Sequence, residues 1–159
     1  MEPIPEVHLI KVHSAEEMYN ATLENLPVDV AIFSAAVADY KVKNKENEKI
    51  KKKEFMNLNL EKTTDILANI SKHNSLRPKI VIGFAAETNN LVENSKKKLS
   101  EKNCDWIIAN DVSDTSIGFG SDFNEITIFY KDKNFEKIKK MKKSLLADEI
   151  IERVISQIN

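Results

Sequence analysis

Five stretches of this sequence hold residue types in spacings that suit chemistry on a charged ligand. In Ser34–Tyr40 (SAAVADY), Ala35 and Ala36 would let a backbone or a ligand approach closely. Asp39, just after them, could hold a magnesium ion or a ribose hydroxyl. The same residues equally suit a tight turn capped by an aspartate. In Glu48–Lys53 (EKIKKK), Lys49 on a loop could clamp developing phosphate charge, or simply solvate the surface. Asp65, Ile66 and Leu67 follow Thr63-Thr64 at a helix start, where backbone N–H groups bind anions or base edges, or where Thr64 or Asp65 acts as an ordinary cap. Gly83–Thr88 (GFAAET) combines a glycine that permits close approach with Phe84, which suits a nucleobase face or the core. Lys98 and Lys102 stand four apart on one helix face, as a phosphate grip or as surface lysines.

Other chemistries find little support. No GxGxxG and no GxxxxGK[ST] occurs, which speaks against a dinucleotide fingerprint and a P-loop. The single cysteine, Cys104, excludes an intrachain disulfide framework and a cysteine-based zinc site. His8, His13 and His73 lack metal-ligand spacing, and no nucleophile triad is readable. A net charge of −1 gives no overall pull toward nucleic acid or membranes. The lysines nonetheless cluster at 41–53, 96–102 and 131–143, which points to a solvated surface or to a polyanionic ligand such as a nucleoside triphosphate. No apolar run is long enough to span a membrane and no secretory signal is visible, so a cytoplasmic protein is expected.

The elements that must position these residues follow from the hydrophobic pattern. Val7–Val12 reads as a short strand. Ser14 with Glu17 forms a capping box, so a helix begins near Ala15 with Met18, Ala21, Thr22 and Leu23 inward. Val28–Ala36 is nearly all apolar and suits a strand buried on both faces. A charged loop over 42–53 precedes an alternating strand at Phe55–Leu60. Helix 64–70, strand Ile80–Ala86, helix Asn90–Lys102 and strand Asp105–Ala109 continue the alternation, followed by a glycine-containing loop over 117–124. Glu125–Tyr130 and Phe135–Ile138 form a hairpin, and Ser144–Ile158 a terminal helix with Leu145, Leu146, Ile150, Val154 and Ile158 inward. This order predicts an α/β, Rossmann-like three-layer domain: a mostly parallel sheet with helices on both faces and a C-terminal antiparallel hairpin. In such sheets ligands bind beyond the C-terminal strand ends, here Ser34–Asp39, Gly83–Thr88 and Asn110–Ser113.

Taken in order, Ala35–Tyr40, Glu48–Lys52, Thr64–Leu67, Gly83–Thr88, Ala109–Val112 and Gly120–Asp122 resemble the motifs of the phosphopantothenate–cysteine ligases (phosphopantothenoylcysteine synthetases). In bacteria this is usually the C-terminal domain of a bifunctional protein of coenzyme A biosynthesis. The resemblance covers 6–159, so the whole chain, 1–159, is read as a single nucleotide-binding ligase domain. It implies CTP-dependent joining of 4′-phosphopantothenate to cysteine through an acyl-cytidylate, in the presence of Mg2+. Position by position, Asp39 would help hold the metal and triphosphate. Lys49, in a mobile flap over 41–53, would stabilise the phosphate chemistry. The backbone of Asp65, Ile66 and Leu67, with Phe84, Lys98 and Lys102, would hold the nucleotide, and Ala35 and Ala36 would let it lie close.

The resemblance also implies a homodimer. Family members begin with a further strand and an asparagine-containing segment, and this chain is expected to lack that segment. A separate N-terminal or decarboxylase chain is therefore a possible partner. The alternatives carried forward are a nucleotide-binding module that needs such a partner for turnover, and a Rossmann-like regulatory domain without a nucleotide.

Overall fold

The structure, a computed structural model, describes residues 5–44, 48–51, 55–112 and 120–158. The chain divides into two compact units: Met1–Asn25 with Ala36–Ile66, and Leu26–Ala35 with Leu67–Asn159.

The larger unit is built on a five-stranded sheet in the order β1 (Val30–Phe33), β4 (Ile80–Glu87), β5 (Trp106–Asp111), β6 (Phe123–Tyr130) and β7 (Phe135–Lys142). β1, β4 and β5 run parallel, and β6 and β7 extend the sheet as an antiparallel hairpin. Side-chain alternation along β4 sorts its residues into two cores. Ile80 and Ile82 join Trp106, Ile108, Ile126 and Ile128 beneath helix α4 (Lys143–Ile158), which contributes Leu146, Ile150 and Val154. Val81 and Ala85 join Ile107, Ala109 and Phe129 on the other face, under Leu99 of α3 (Leu91–Lys102) and beside Leu67 of α2 (Ile66–Ser71). The expected three-layer α/β domain with its hairpin is what forms. Gly83 sits where β4 meets α2: a Cβ there would lie 2.5 Å from Leu67 Cδ2 and 3.0 Å from Ile107 Cδ1.

Two polar networks fasten the edges of these layers. Arg77 donates to the carbonyls of Ser71, Pro78 and Asn103 and pairs with Asp105 at 2.8 Å. The same Asp105 oxygen accepts the Val81 N–H. On the opposite side, Arg153 of α4 forks onto Glu136 of β7 at 2.6 and 3.0 Å and onto Glu149 at 2.6 Å. Tyr130 donates to Glu136 as well.

The smaller unit contains α1 (Ala15–Glu24) and a two-stranded antiparallel sheet, β2 (Tyr40–Val42) with β3 (Leu60–Lys62). Ser14 caps α1 by accepting the Glu17 N–H at 3.2 Å, while the Glu17 carboxylate reaches back to the His13 N–H at 2.7 Å.

Several expectations need correction. Val7–Val12 forms no strand, because a short apolar-rich run makes none without an edge to pair with; Val7, Leu9 and Ile10 are exposed. Phe55–Leu60 is likewise exposed, and only Leu60 enters β3. The inward residues of α1 are at most half-buried. β1 is only four residues long and, among the described residues, lies at the sheet edge with a single neighbour, so Ile32 stays exposed instead of buried on both faces. Leu145 is exposed because it lies beside the buried stripe Leu146, Ile150 and Val154, and Ile158, the next position on that stripe, is exposed as the last residue of α4. Of the charged loop, 45–47 and 52–53 lie outside the described residues, as do 117–119 of the glycine-containing loop and Ser113.

The Arg153 fork holds the Glu136 carboxyl below its ordinary value of 4.5, with the Tyr130 hydroxyl helping. A depressed folded value means the contact stabilises above about pH 4.5 and is lost as pH falls through the folded value. In urea unfolding, Glu136→Gln should therefore destabilise at pH 7, and the gap to the parent should close in acid. The carboxylate is partly exposed, so solvent screening keeps the effect modest.

Candidate functional site

β4 and β5 outrun β1. Phe33 pairs with Gly83, whereas β4 continues to Glu87 beside Asp111 of β5. Backbone groups of odd-numbered β4 residues turn toward β5, as the carbonyl of Val81 accepts from Asp105 N–H and that of Glu87 from Val112 N–H. The even-numbered residues turn the other way, as Ile80 N–H does in bonding to Asp29. Beyond Phe33, then, the Ala86 N–H and C=O face the side where β1 has ended. Ala86, Ser34 and Ala35 are all exposed there. This is the open carboxyl edge expected to receive a ligand.

One charged cluster of the larger unit sits at that edge. Glu87, whose side chain is only 10% exposed, pairs with Lys98 Nζ at 2.7 Å. Its other oxygen accepts from Asn94 Nδ2 at 2.9 Å. Phe84 is half-buried and packs with the core under α4. Lys98 belongs to α3 on the opposite face of the sheet, so the Phe84 ring and the Lys98 stem approach the edge from different sides. Lys102 is half-buried one turn further along α3. Leu67 lies against the second core, next to Gly83.

In the smaller unit, Asp39 is exposed immediately before β2, and its carbonyl accepts the Thr63 N–H at 2.9 Å. The Thr63 hydroxyl donates to the Ala38 carbonyl. These two bonds tie the SAAVAD turn to the segment that leads into Thr64, Asp65 and Ile66. Ala36 and Asp65 are exposed and Ile66 is buried. Lys49 is exposed and lines a groove of about 560 Å³ with Val42, Glu48, Ile50, Met56 and Leu58. Lys41 is engaged by Glu16 at 3.7 Å and Glu61 at 3.5 Å.

Sequence reading passes over Asn94, which orients Glu87, and places Thr63 at a helix start without its bonds to Ala38 and Asp39. The helix-period spacing of Asn94 and Lys98 could have drawn attention to them. In the sequence Glu87 is marked only as the carboxylate that ends the apolar run Ile80–Ala86.

Cys104 is fully buried, and burial pushes its thiol up to about 11. A thiolate nucleophile near neutral pH is excluded for this side chain. An aromatic disulfide reagent at pH 8 should leave the native protein unlabelled and react with one thiol after unfolding; rapid native labelling would contradict the packing.

A doubly covered α/β sheet with a parallel core and small residues at its carboxyl edge belongs to the class of Rossmann-like domains. The family described as DNA/pantothenate metabolism flavoprotein C-terminal domain fits residues 1–158, and the chain belongs to that family. The coenzyme A biosynthesis bifunctional protein CoaBC of Bacillus subtilis (strain 168) is 37% identical over 155 residues, covering 96% of this chain and 38% of that protein. A cysteine/cysteine sulfinic acid decarboxylase from an unknown prokaryotic organism is 35% identical over 156 residues, covering 97% of this chain and 43% of that protein. The crystal structure of the C-terminal domain of CoaBC superposes with a TM-score of 0.77 at 32% identity, covering 99% of this chain and 69% of that one. The chain thus spans 38–43% of the length of these two relatives.

Proposed function

We propose that this chain is a phosphopantothenate–cysteine ligase domain of coenzyme A biosynthesis that uses CTP. The observation that carries the reading is the family match across residues 1–158, at 37% identity to a protein named for coenzyme A biosynthesis. The open edge of β4, with Glu87 and Lys98 beside it, supports it by offering a place for a charged ligand.

The reaction starts from a chemical obstacle. A carboxylate is inert to amines until one of its oxygens becomes part of a good leaving group. The 4′-phosphopantothenate carboxylate attacks the α-phosphorus of CTP, the bond to pyrophosphate breaks, and an acyl-cytidylate forms. The cysteine amine then attacks the acyl carbon, loses a proton, and CMP departs. The first step brings two anions together, so cations must offset their repulsion. Lys49 and Asp39 are the residues proposed for the triphosphate, with the backbone around Asp65, Ile66 and Leu67 and the groups of Ala35, Ala36, Phe84, Lys98 and Lys102 for the remainder of the nucleotide. The Ala86 N–H and C=O are a donor–acceptor pair of the kind that reads a base edge or an amide.

Among the described residues, no three His, Cys, Asp or Glu side chains gather as a metal cage. One exposed carboxylate fits magnesium, which keeps several waters and is usually held by one or two carboxylates together with phosphate oxygens. Magnesium there would neutralise triphosphate charge, and Asp39 would anchor it. A homodimer and a cytoplasmic location complete the proposal; no helix among the described residues is long and apolar enough to cross a membrane.

Calorimetric titration with CTP and magnesium tests the reading. Micromolar binding that weakens about tenfold or more in Asp39→Ala and in Lys49→Ala is expected, the scale of one lost charge-assisted contact. A folded protein that binds neither CTP nor ATP would overturn it. Preference for ATP would keep the ligase class and replace the nucleotide.

A further inference from the structure

We propose that Glu87 is a positioning residue that draws the Lys98 ammonium up to the carboxyl edge of β4 and holds it there for the phosphate or base of a nucleotide. The proposal rests on the nucleotide reading above and assigns a role that the reading leaves open. Lys98 is seven residues into α3, about 10 Å below the helix start that adjoins the end of β4. Helical side chains lean back toward the N-terminus, so its stem points the right way. Left to solvent, a four-carbon stem samples many rotamers, and fixing it costs conformational entropy. Glu87 supplies the fixed partner at 2.7 Å.

Glu87 is itself held. Asn94 Nδ2 bonds its Oε2 at 2.9 Å and also bonds the Asn89 carbonyl at 3.1 Å, so the amide is fixed from two sides. The other oxygen, Oε1, is buried from solvent and faces the Lys98 ammonium. Lys98 stays 40% exposed, which leaves N–H groups for a ligand. The contrast with Lys97 and Glu101 on the same helix is instructive. That pair stands 3.9 Å apart with side chains 70% and 62% exposed, a solvated i,i+4 contact that orients nothing. Of these two pairs, the one on Glu87 has the buried acceptor, and a buried charge stripped of its partner is costly. Glu87 and Lys98 are thus obliged to stay together in the free protein, and the ligand meets a cation already in place.

The test uses the intact chain with Glu87→Gln, Lys98→Met and the double variant, each read by magnesium–CTP titration and by the 13C-methyl signals of reductively methylated lysines. Glu87→Gln keeps the size of the side chain and an acceptor for Asn94 while removing the charge. It should weaken CTP about tenfold, the range of one charge-assisted hydrogen bond. The double variant should be no weaker than Lys98→Met, because both changes remove one arrangement. Without nucleotide, the Lys98 methyl signal should move to the position of solvated lysines in Glu87→Gln. If CTP binds the parent and weakens in Lys98→Met but not in Glu87→Gln, or if the Lys98 signal stays put, the positioning role is overturned while the nucleotide reading stands. Loss of thermal stability in Glu87→Gln with unchanged CTP affinity would mark a structural staple only and would also overturn it. If CTP binds no form, or Lys98→Met binds it as the parent does, the role proposed for Lys98 fails and this inference goes with it.

Discussion

A strand that is apolar on both faces has to lie at the centre of a sheet, with a packed layer above and below it. β4 is that strand. Ile80, Val81 and Ile82 are nearly inaccessible, and alternate residues feed the core under α4 and the core under α3. The burial of the larger unit is organised around this condition. β1 and β5 take the two flanking positions, and Gly83 admits α2 at close range. The burial ends where β1 ends, and from there β4 carries Ala86 and Glu87 past its neighbour. The transition from a dry, fully paired strand to an open edge within four residues places a carboxylate where it is shielded yet close to solvent.

Electrostatics then divides the lysines into two kinds. Those with geometrically fixed acidic partners, such as Lys98 on Glu87 and Lys137 on Glu125, are structural or poised. Lys49, exposed along its groove, meets solvent directly. With a net charge of −1 the protein has no global field for anions, so attraction for the proposed triphosphate would rest on local placement. On that proposal the position of one ammonium at the edge of β4 carries more weight than the number of lysines in the chain.

Much of the larger unit was legible because its signals are redundant. The Ile80–Ala86 run is both apolar and bounded by a proline before and a carboxylate after, and α4 repeats an apolar residue every fourth position. Where a single signal stood alone, reading failed. Val7–Val12 is a short apolar-rich run and Phe55–Leu60 alternates, yet such a pattern specifies a face and not a partner, and a strand exists only where another edge accepts its hydrogen bonds. β1 was read as buried because composition cannot distinguish an edge from a centre. The stretches that drew attention as chemistry do fall at strand ends and turns: SAAVAD after β1, GFAAE at the end of β4, and Lys98 beside it. The sequence could not disclose that Glu87 engages Lys98, because residues eleven apart across a strand–turn–helix meet through tertiary geometry. Nor could it disclose that the Phe84 ring packs on the face away from α3, which depends on strand register.

The central claim is that this domain activates a carboxylate at the expense of a nucleoside triphosphate. The most direct measurement is to incubate the protein with CTP, 4′-phosphopantothenate and magnesium, omit cysteine, and analyse the quenched mixture by mass spectrometry and for pyrophosphate. The account predicts an acyl-cytidylate bound to the protein with matching pyrophosphate release, discharged to CMP and an amide when cysteine is added. Binding of CTP with neither pyrophosphate nor acyl-cytidylate, even at protein concentrations above those of the substrates, would contradict it.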